Sequence, residues 1–241
     1  MCILCTNDYT IEMTKINSCA EATEIPETLV NLTYLDCSYS RISIIPATLT
    51  KLKVLLCQFS NVTEIPDTLV QLTNLYCHYT KIESLPDTLI RLTLLRCGHT
   101  NIHTLPKTVT RLTKLACKYT NVKMIPKTYT KLTHLSCKHT NVSELSVHYT
   151  KLSVLHCGHT KIKSIPETYV ELSELFCPHD VQHIPDETSF PLLAIYDSYQ
   201  TRYNPVLLRK FQRHWRHRRL KTSALHTMHQ DLINHIITPM Y

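Results

Sequence analysis

Cysteine and histidine recur along this 241-residue sequence at a spacing that could bring their side chains together. Eight of the eleven cysteines follow one another at intervals of twenty residues, from Cys37 to Cys177, and His139, His159 and His179 keep the same interval. Thiolates and imidazoles are side chains that zinc and copper prefer in proteins. If twenty residues make one turn of a repeating backbone, the three imidazoles lie side by side and could surround a metal ion.

The same interval offers a simpler interpretation of the histidines. Their column continues towards the N-terminus with aromatic rings, and no carboxylate lies reliably beside them. The column consists of Tyr39, Phe59, Tyr79, His99, Tyr119, His139, His159 and His179. Rings on neighbouring turns lie near stacking distance, so we predict an aromatic ladder that packs against itself. We predict no metal and no cofactor at this column.

The regularly spaced cysteines are expected to be unreactive. Each lies two residues after a leucine, as in Leu75-Tyr76-Cys77, so both side chains point to the buried face of a strand. A thiol in an apolar column has a raised pKa and behaves as a small hydrophobic group. Cys2 and Cys5 form a Cys-x-x-Cys pair without a following helix or a second pair, and we predict no redox or metal role for them.

The elements that position these residues are the turns of an internal repeat. Residues 72–91 align with the sequence after each shift of twenty residues, with leucine at positions one and four and cysteine at position six of all eight copies. A short fixed period predicts a solenoid, in which each copy forms one turn, here called a rung. We assign residues 32–191 to eight rungs, residues 1–31 to a degenerate N-terminal cap, and residues 192–241 to a C-terminal cap and basic helical tail.

The copies share the pattern L-x-x-L-x-C-x-x-(S/T)-x-(I/V)-x-x-(I/L)-P-x-T-(L/V/Y)-x-x. It resembles the leucine-rich repeat, and its length is similar to the short repeats of bacterial effectors and large-virus proteins of that family. The resemblance implies an α/β-type leucine-rich-repeat solenoid, or horseshoe, with parallel strands on its concave face. Proline at position fifteen, as in Pro86, disfavours a helix on the convex side, where we expect extended or 3₁₀ backbone.

The chain departs from the family pattern at positions six and nine. Cysteine replaces the third leucine, and serine or threonine, such as Ser40 or Thr80, replaces asparagine at position nine. In the family, that asparagine bonds buried backbone groups at the turn. A hydroxyl has one donor and two acceptor lone pairs but a shorter reach, so we predict a tighter turn or an added water molecule.

Composition limits the classes of function. The chain has two glycines, Gly98 and Gly158, which excludes glycine-rich phosphate cradles. The repeated thiols fit a reducing intracellular compartment, the cytoplasm of its own or a host cell. The N-terminus lacks a basic leader with a long apolar core, and no run reaches the roughly 18 apolar residues of a membrane span. We predict a non-enzymatic protein.

The outward-facing positions three, five, seven and eight differ between copies, whereas the core positions do not. Such variation on a regular scaffold, together with the family resemblance, favours a protein-protein interaction scaffold that binds a partner protein on its concave face. A solvated face without a partner is the alternative. The candidate partner-binding residues are Tyr34, Asp36, Leu56, Asn74, Tyr76, His78, Tyr79, Leu94, Arg96, His99, Lys114, Lys118, His134, Lys138, His139, His156 and His159.

Positive charge is concentrated in two parts of the chain. Residues 101–163 hold eleven Lys or Arg against one acidic residue, and residues 201–241 hold eight against one. In the middle segment the basic residues lie on both faces of the predicted solenoid, since Lys114 belongs to a concave column and Lys107 to the convex side. Charge on both faces weakens the case for a nucleic-acid groove on the solenoid itself.

The tail begins with the helix-start signal Asn204-Pro205 and continues with apolar residues at helical spacing among basic ones. We interpret it as a helix that caps the last rung, or as an interaction segment for a calmodulin-like partner, a nucleic acid or an anionic surface. Its spacing resembles the calmodulin-binding IQ motif. The candidate tail residues are Phe211, Gln212, Trp215, Arg216, Arg219 and Lys221. A third hypothesis, implied by the resemblance to bacterial effectors, is that the chain is the targeting arm of an effector or ubiquitin-ligase system.

Overall fold

The computed structural model describes residues 2–177, Val181 and the backbone of the strand Ala194–Asp197. The six candidate residues of the tail and His179 lie outside the described residues, as does the predicted C-terminal cap apart from that strand. None of the helices in the described part of the chain combines the length and the apolar composition that a membrane span requires.

Each rung contributes one short strand to the concave side. Successive side chains of a strand point to opposite faces, so the central leucine is buried while its two neighbours keep contact with solvent. The strands are β1 Lys15–Asn17, β2 Tyr34–Asp36, β3 Val54–Leu56, β4 Asn74–Tyr76, β5 Leu94–Arg96, β6 Lys114–Ala116, β7 His134–Ser136, β8 Val154–His156, β9 Glu174–Cys177 and β10 Ala194–Asp197.

The ten strands form one sheet in sequence order, and all their pairings are parallel. From β2 to β10, each strand is offset from the next by twenty residues, so that Leu35 lies opposite Leu55 and Leu55 opposite Leu75. Equal offsets keep every column of the repeat aligned along the stack. The predicted parallel solenoid of twenty-residue rungs is confirmed.

The N-terminal segment contains a rung of its own. β1 pairs with β2 at an offset of nineteen residues, with Lys15 opposite Tyr34 and Ile16 opposite Leu35. Ile16 therefore takes the buried place of the fourth-position leucine. At an offset of twenty the sequence places Lys15 there instead, which is why the segment resembles a degenerate copy.

A short helix precedes β1. α1 spans Ile3–Thr6, with Cys2 at its N-cap and Asn7 in the left-handed conformation at its C-cap. Asparagine enters that conformation more readily than most residues, so the helix ends there after about one turn. Cys5 lies within α1, which ends one residue later, so the Cys-x-x-Cys pair is part of this short helix and does not precede it.

The core consists of columns of leucine, isoleucine, valine and cysteine that repeat along the stack. The eight regularly spaced cysteines expose only 0–2% of their surface. Burial raises the pKa of Cys37, Cys77 and Cys117 to about 12. As predicted, these residues serve as small hydrophobic groups.

Each strand leads into a tight turn that the hydroxyl at position nine closes. Ser40 Oγ donates a hydrogen bond to the carbonyl oxygen of Cys37 at 2.7 Å, and Thr80 Oγ1 donates to that of Cys77 at 2.7 Å. The other described rungs repeat this bond. The short side chain reaches a carbonyl only three residues back. The hydroxyl thus bonds a buried backbone group at the turn, while the tighter turn or added water molecule stays a prediction.

The convex side is built from turns in the described rungs. Leu49 N–H donates to the carbonyl of Pro46 at 3.3 Å, and Leu52 N–H donates to that of Leu49 at 3.0 Å. Proline suits the first place of such a turn because it has no N–H to donate. Thr48, two residues after Pro46, connects neighbouring rungs, since its Oγ1 donates to the carbonyl of Glu27 at 2.7 Å. This second hydroxyl ladder, repeated in five further rungs, was not predicted.

Tyrosine replaces leucine at position eighteen of three consecutive rungs and is fully buried there. Each phenol donates to a carbonyl of the preceding rung, as Tyr129 does to Pro106 at 2.7 Å and Tyr169 to Ser146 at 2.8 Å. A buried hydroxyl without a partner would destabilise the core, so these bonds are what allows tyrosine to occupy an apolar column.

Candidate partner-binding face

The side chains at positions three and five form the outer surface of the sheet, opposite the leucine core. Strand register places Tyr34 beside Val54 in one column, and Leu56 beside Tyr76 in the other. These side chains are partly exposed, while the central leucines between them are buried. The N-terminal half of the face is therefore mainly apolar and aromatic.

The C-terminal half of the face is basic. Arg96 and Lys114 are exposed, and they stand in neighbouring strands. The Arg96 guanidinium lies over the Tyr76 ring, 5.3 Å from its centroid, and Lys138 Nζ lies 4.3 Å from the centroid of Phe176. Contacts of this kind orient the cations while leaving them charged.

A histidine-carboxylate contact lies beside these cations. His156 Nε2 is 2.7 Å from Glu174 Oε1, and the His156 ring meets the edge of the Phe176 ring at a centroid distance of 5.0 Å. Burial lowers the pKa of His156, whereas the hydrogen bond to Glu174 acts in the opposite direction. The contact involves Glu174, the only carboxylate that the last three described rungs place in the strand columns.

The residues at position eight have left-handed backbone although none of those described is glycine. Tyr39 has φ of 56°, Tyr79 of 58° and His99 of 54°. This conformation is disfavoured for residues with a Cβ, so other interactions must hold it. One of them is a backbone bond to the next rung, in which Tyr79 N–H donates to the carbonyl of Gly98 at 3.0 Å.

Stacking of the rings is the second interaction that holds this column. Consecutive rings from Tyr39 to His159 have centroids 4.0–4.8 Å apart and interplanar angles of 9–22°. The predicted aromatic ladder is confirmed in the described rungs. Its outer edges are open to solvent, with Tyr39 at 64% and Tyr79 at 42% exposure.

The metal alternative for this column finds no support in the part of the chain that the structure describes. His139 and His159 lie face to face with centroids 4.1 Å apart and an interplanar angle of 13°, which is a packing arrangement. His179, the third ligand of that hypothesis, is outside the described residues. The described residues do bring three other ligands together, Cys2, Cys5 and Cys19.

Five histidines of the face have lowered pKa values, namely His78, His99, His134, His139 and His156. Burial is the main cause in each case, and neighbouring cations add to it: Arg96 and Lys118 lower the pKa of His78, and Lys118 lowers that of His99. The pKa values of His134 and His139 are lowered in the same way. At neutral pH the imidazoles are therefore mainly uncharged, and Lys and Arg provide the positive charge.

The candidate partner-binding residues lie in the columns of positions three, five, seven and eight. The candidates omit Val54, Phe59, Tyr119, Glu174 and Phe176, which occupy the same columns and have comparable exposure. Membership of a column was the signal that could have found them. Cys19 was also missed as a neighbour of Cys2 and Cys5, because its approach depends on how the chain turns after β1.

No protein-family model matches the sequence, and no curated protein matches it. Solved structures do match. The functional domain of InlJ from Listeria monocytogenes, which includes a cysteine ladder, has a TM-score of 0.53 and 19% identity over 76% of this chain and 57% of that one. The LRR protein LIC12759 from Leptospira interrogans has a TM-score of 0.60 and 19% identity over 77% of this chain and 60% of that one.

A plant receptor shares the same architecture. The LRR ectodomain of the membrane receptor kinase GASSHO1/SCHENGEN3 from Arabidopsis thaliana, solved in complex with CASPARIAN STRIP INTEGRITY FACTOR 2, has a TM-score of 0.62 and 20% identity. That alignment covers 77% of this chain and 26% of the receptor. The chain thus spans about three fifths of the two bacterial structures and a smaller part of the receptor. Repeat pattern, strand register and these similarities together show that the chain has the leucine-rich-repeat fold.

Proposed function

We propose that the chain is a non-enzymatic scaffold that binds a partner protein on its concave face. The supporting observation is the contrast between the uniform buried columns and the outward columns, which present a different, partly exposed side chain in almost every rung. A regular stack holds those side chains in place before binding, so little conformational entropy is lost on association. The similar plant receptor ectodomain is itself in complex with a factor.

The face favours a partner with two kinds of chemistry. Val54 and Leu56 offer apolar surface in the N-terminal half, and Leu94 continues it to β5. Arg96, in the same strand, and Lys114 offer exposed positive charge next to it. A segment that carries apolar or aromatic groups followed by acidic ones would complement both parts. This orientation, acidic groups towards the C-terminal rungs, is part of the proposal.

A site-specific photo-crosslinker tests the proposal on the full chain. One variant carries it at Tyr76 on the concave face, and a matched variant carries it at Lys107, an exposed convex position. We expect one protein to be crosslinked in cells through Tyr76 and not through Lys107. The partner identified by mass spectrometry is then purified and its affinity for the chain measured.

Charge reversals then locate the binding surface. The variant Arg96→Glu, Lys114→Glu, Lys138→Glu should weaken binding at least about tenfold, because like charges would face the acidic segment. The control Lys107→Glu, Lys127→Glu changes the same kind of residue on the exposed convex side and should leave the affinity within about twofold. If only the convex reversals weaken binding, the concave-face proposal fails.

The basic tail supports a second hypothesis. Residues 201–241 hold eight Lys or Arg against one acidic residue, which suits a calmodulin-like partner, a nucleic acid or an anionic surface. Deleting residues 204–241 separates the possibilities. Loss of polyanion binding by a chain that stays soluble supports an interaction segment, whereas loss of solubility supports a cap for the last rung.

We also propose a location and a pathway for the chain. The buried cysteines from Cys37 to Cys157 are free thiols, which suits a reducing intracellular compartment, of its own or a host cell. A role as the targeting arm of an effector or ubiquitin-ligase system would use the same concave face. Crosslinking through Tyr76 to a ligase component or its substrate would favour that role over a free-standing scaffold.

A further inference from the structure

We propose that Cys2, Cys5 and Cys19 bind one thiophilic d¹⁰ metal cation, Zn²⁺ or Cu⁺, at the N-terminal end of the solenoid. Among the described residues, they are the group of potential ligands whose atoms all come within 4.8 Å of one another. The three cysteines lie outside the buried cysteine column, and none of them is a candidate partner-binding residue. The test of this metal site is therefore independent of the test of the proposed function.

The sulfur atoms lie at distances that one metal ion can span. Cys5 Sγ is 3.6 Å from Cys2 Sγ and 3.4 Å from Cys19 Sγ. Two thiolates bound to a tetrahedral zinc ion through bonds of about 2.3 Å are separated by about 3.8 Å. Small side-chain rotations therefore suffice to place the three sulfurs around one ion.

The helix α1 presents two of the ligands. Cys2 is its N-cap and Cys5 lies within it, three residues later, so both side chains stand on one side of a single helical turn. The Cys5 N–H donates to the carbonyl of Cys2 at 2.9 Å, which fixes the backbone between them. A Cys-x-x-Cys pair held in this way is half of a typical thiolate site.

The turn after β1 supplies the third ligand because it is one residue shorter than the later turns. Asn17 lies opposite Asp36. Ala22 comes five positions after Asn17, whereas Ile42 comes six positions after Asp36, and the carbonyls of Ala22 and Ile42 each accept a backbone hydrogen bond from the next rung. Cys19 lies in this shortened turn, and its carbonyl accepts a hydrogen bond from Ala22 N–H at 3.1 Å. The turn thus carries Cys19 to the helix.

Exposure distinguishes these thiols from the other eight. Cys2, Cys5 and Cys19 are partly exposed, so an ion can reach them from solvent. The cysteines of the core column are buried, and burial raises the pKa of Cys37, the first of them, to about 12. Deprotonation and metal access are both unfavourable there, so the folded chain should bind a single equivalent.

The ligand set decides which ions fit. The group contains three thiols and no histidine or carboxylate. Three thiolates suit a three-coordinate Cu⁺ ion, or a Zn²⁺ ion whose fourth ligand is water. Binding replaces three S–H protons with the metal and releases them to solvent, leaving a net charge of −1 for the zinc complex and −2 for the copper complex. Either ion would tie α1 to the first rung and stabilise that end of the stack.

The experiment uses the reduced, metal-free full chain under anaerobic conditions. Zn²⁺ and Cu⁺ are titrated separately against chromophoric chelators, and native mass spectrometry counts the bound ions. We expect one ion per chain, and protection of Cys2, Cys5 and Cys19 from alkylation by a thiol reagent. Cys19→Ser and Cys2→Ser should each weaken binding at least about 100-fold, since two thiolates remain. Thr6→Ala, an exposed residue of α1, is the matched control and should bind as the wild type does.

Each outcome bears on the proposal. The proposal is supported if the wild type binds one equivalent of Zn²⁺ or of Cu⁺ tightly and both serine variants lose it. The ion that is bound is then the ligand of the site. Stoichiometric binding that survives in Cys19→Ser and Cys2→Ser overturns it, as does the absence of binding of either ion by the reduced chain. Circular dichroism shows whether each variant keeps the solenoid, and the alkylation pattern of the wild type supplies a test that needs no variant.

Discussion

The imidazole of His99 lies parallel to the phenol ring of Tyr79, with centroids 4.0 Å apart and His99 Nε2 3.0 Å from Tyr79 Oη. Burial, and then Lys118 and His139, hold the pKa of His99 below its ordinary value. The stacked imidazole is therefore mainly neutral near pH 7. Protonation would place a charge within the ladder and beside a lysine.

Acid should destabilise the solenoid through these histidines. The pKa values of His78, His99, His134, His139 and His156 are lowered on folding, so between about pH 6.5 and those lowered values the unfolded chain binds more protons. The free energy of unfolding should consequently fall as the pH drops through that window. Denaturation midpoints at about pH 7.5 and about pH 5.5 measure the effect.

A double variant assigns part of this acid sensitivity to the ladder. His99→Tyr with His139→Tyr keeps stacked rings in both places and removes two titrating groups, so the midpoint should fall less on acidification. His103→Tyr, at an exposed position outside the ladder, is the control and should show the wild-type fall. An undiminished fall in the double variant would contradict the assignment.

The cysteine column should tolerate an apolar substitution better than a polar one. Cys97 is fully buried between Cys77 and Cys117. Cys97→Ser places a hydroxyl in apolar surroundings and should reduce the free energy of unfolding by about 1–3 kcal/mol. Cys97→Ala removes only the sulfur and should have the smaller effect. Chemical denaturation compares the two, and a serine variant as stable as the wild type would count against the apolar role.

The two hydroxyl ladders should differ in strength. Thr100 Oγ1 donates to the carbonyl of Cys97 at 2.7 Å in a buried turn, whereas Thr108 Oγ1 donates to that of Asp87 at 2.6 Å on the exposed convex side. Thr100→Val should destabilise by about 1–3 kcal/mol, because the buried carbonyl loses its partner. Thr108→Val should change stability less, since water can replace the hydroxyl. Equal losses in urea unfolding would show that burial does not decide the difference.

The phenol of Tyr149 should contribute through its hydroxyl. It donates to the carbonyls of Ile125 at 2.9 Å and Pro126 at 3.1 Å inside the core. Tyr149→Phe should lower the free energy of unfolding by about 1–2 kcal/mol, since two buried acceptors lose a donor. Tyr119→Phe, on the exposed ladder, is the control. Thermal unfolding of both variants measures the difference, and an unchanged Tyr149→Phe midpoint would contradict it.

The constant period made the core and the ladder predictable from sequence. Because every rung has twenty residues, Leu75 and Cys77 must share columns with their counterparts, and Tyr79 must stack with its own. The rung at β1 was hidden because its offset is nineteen, so Ile16 does not align with Leu35 in the repeat. Such a change depends on the length of one turn, which a repeat pattern cannot show.

Other features depend on contacts between rungs that sequence spacing leaves undetermined. The bond from Thr48 to the carbonyl of Glu27 needs the convex turns to lie close together, and the left-handed φ of Tyr79 needs the neighbouring ring and backbone to hold it. The approach of Cys19 to Cys5 likewise follows from the path of a shortened turn. On the concave face, by contrast, column membership is enough to find the exposed residues, including those that the candidates omitted.

The equal offset from β2 to β9 makes each rung an interchangeable cassette. Removing residues 72–91 would join the copy before them to the copy after them with every column still aligned, and would shorten the stack by about 4.8 Å, one strand spacing. The number of rungs thus sets the length of the concave face, and the residues at its outward positions set its chemistry. Whole rungs could therefore be inserted or deleted while the side chains of the remaining rungs keep their columns.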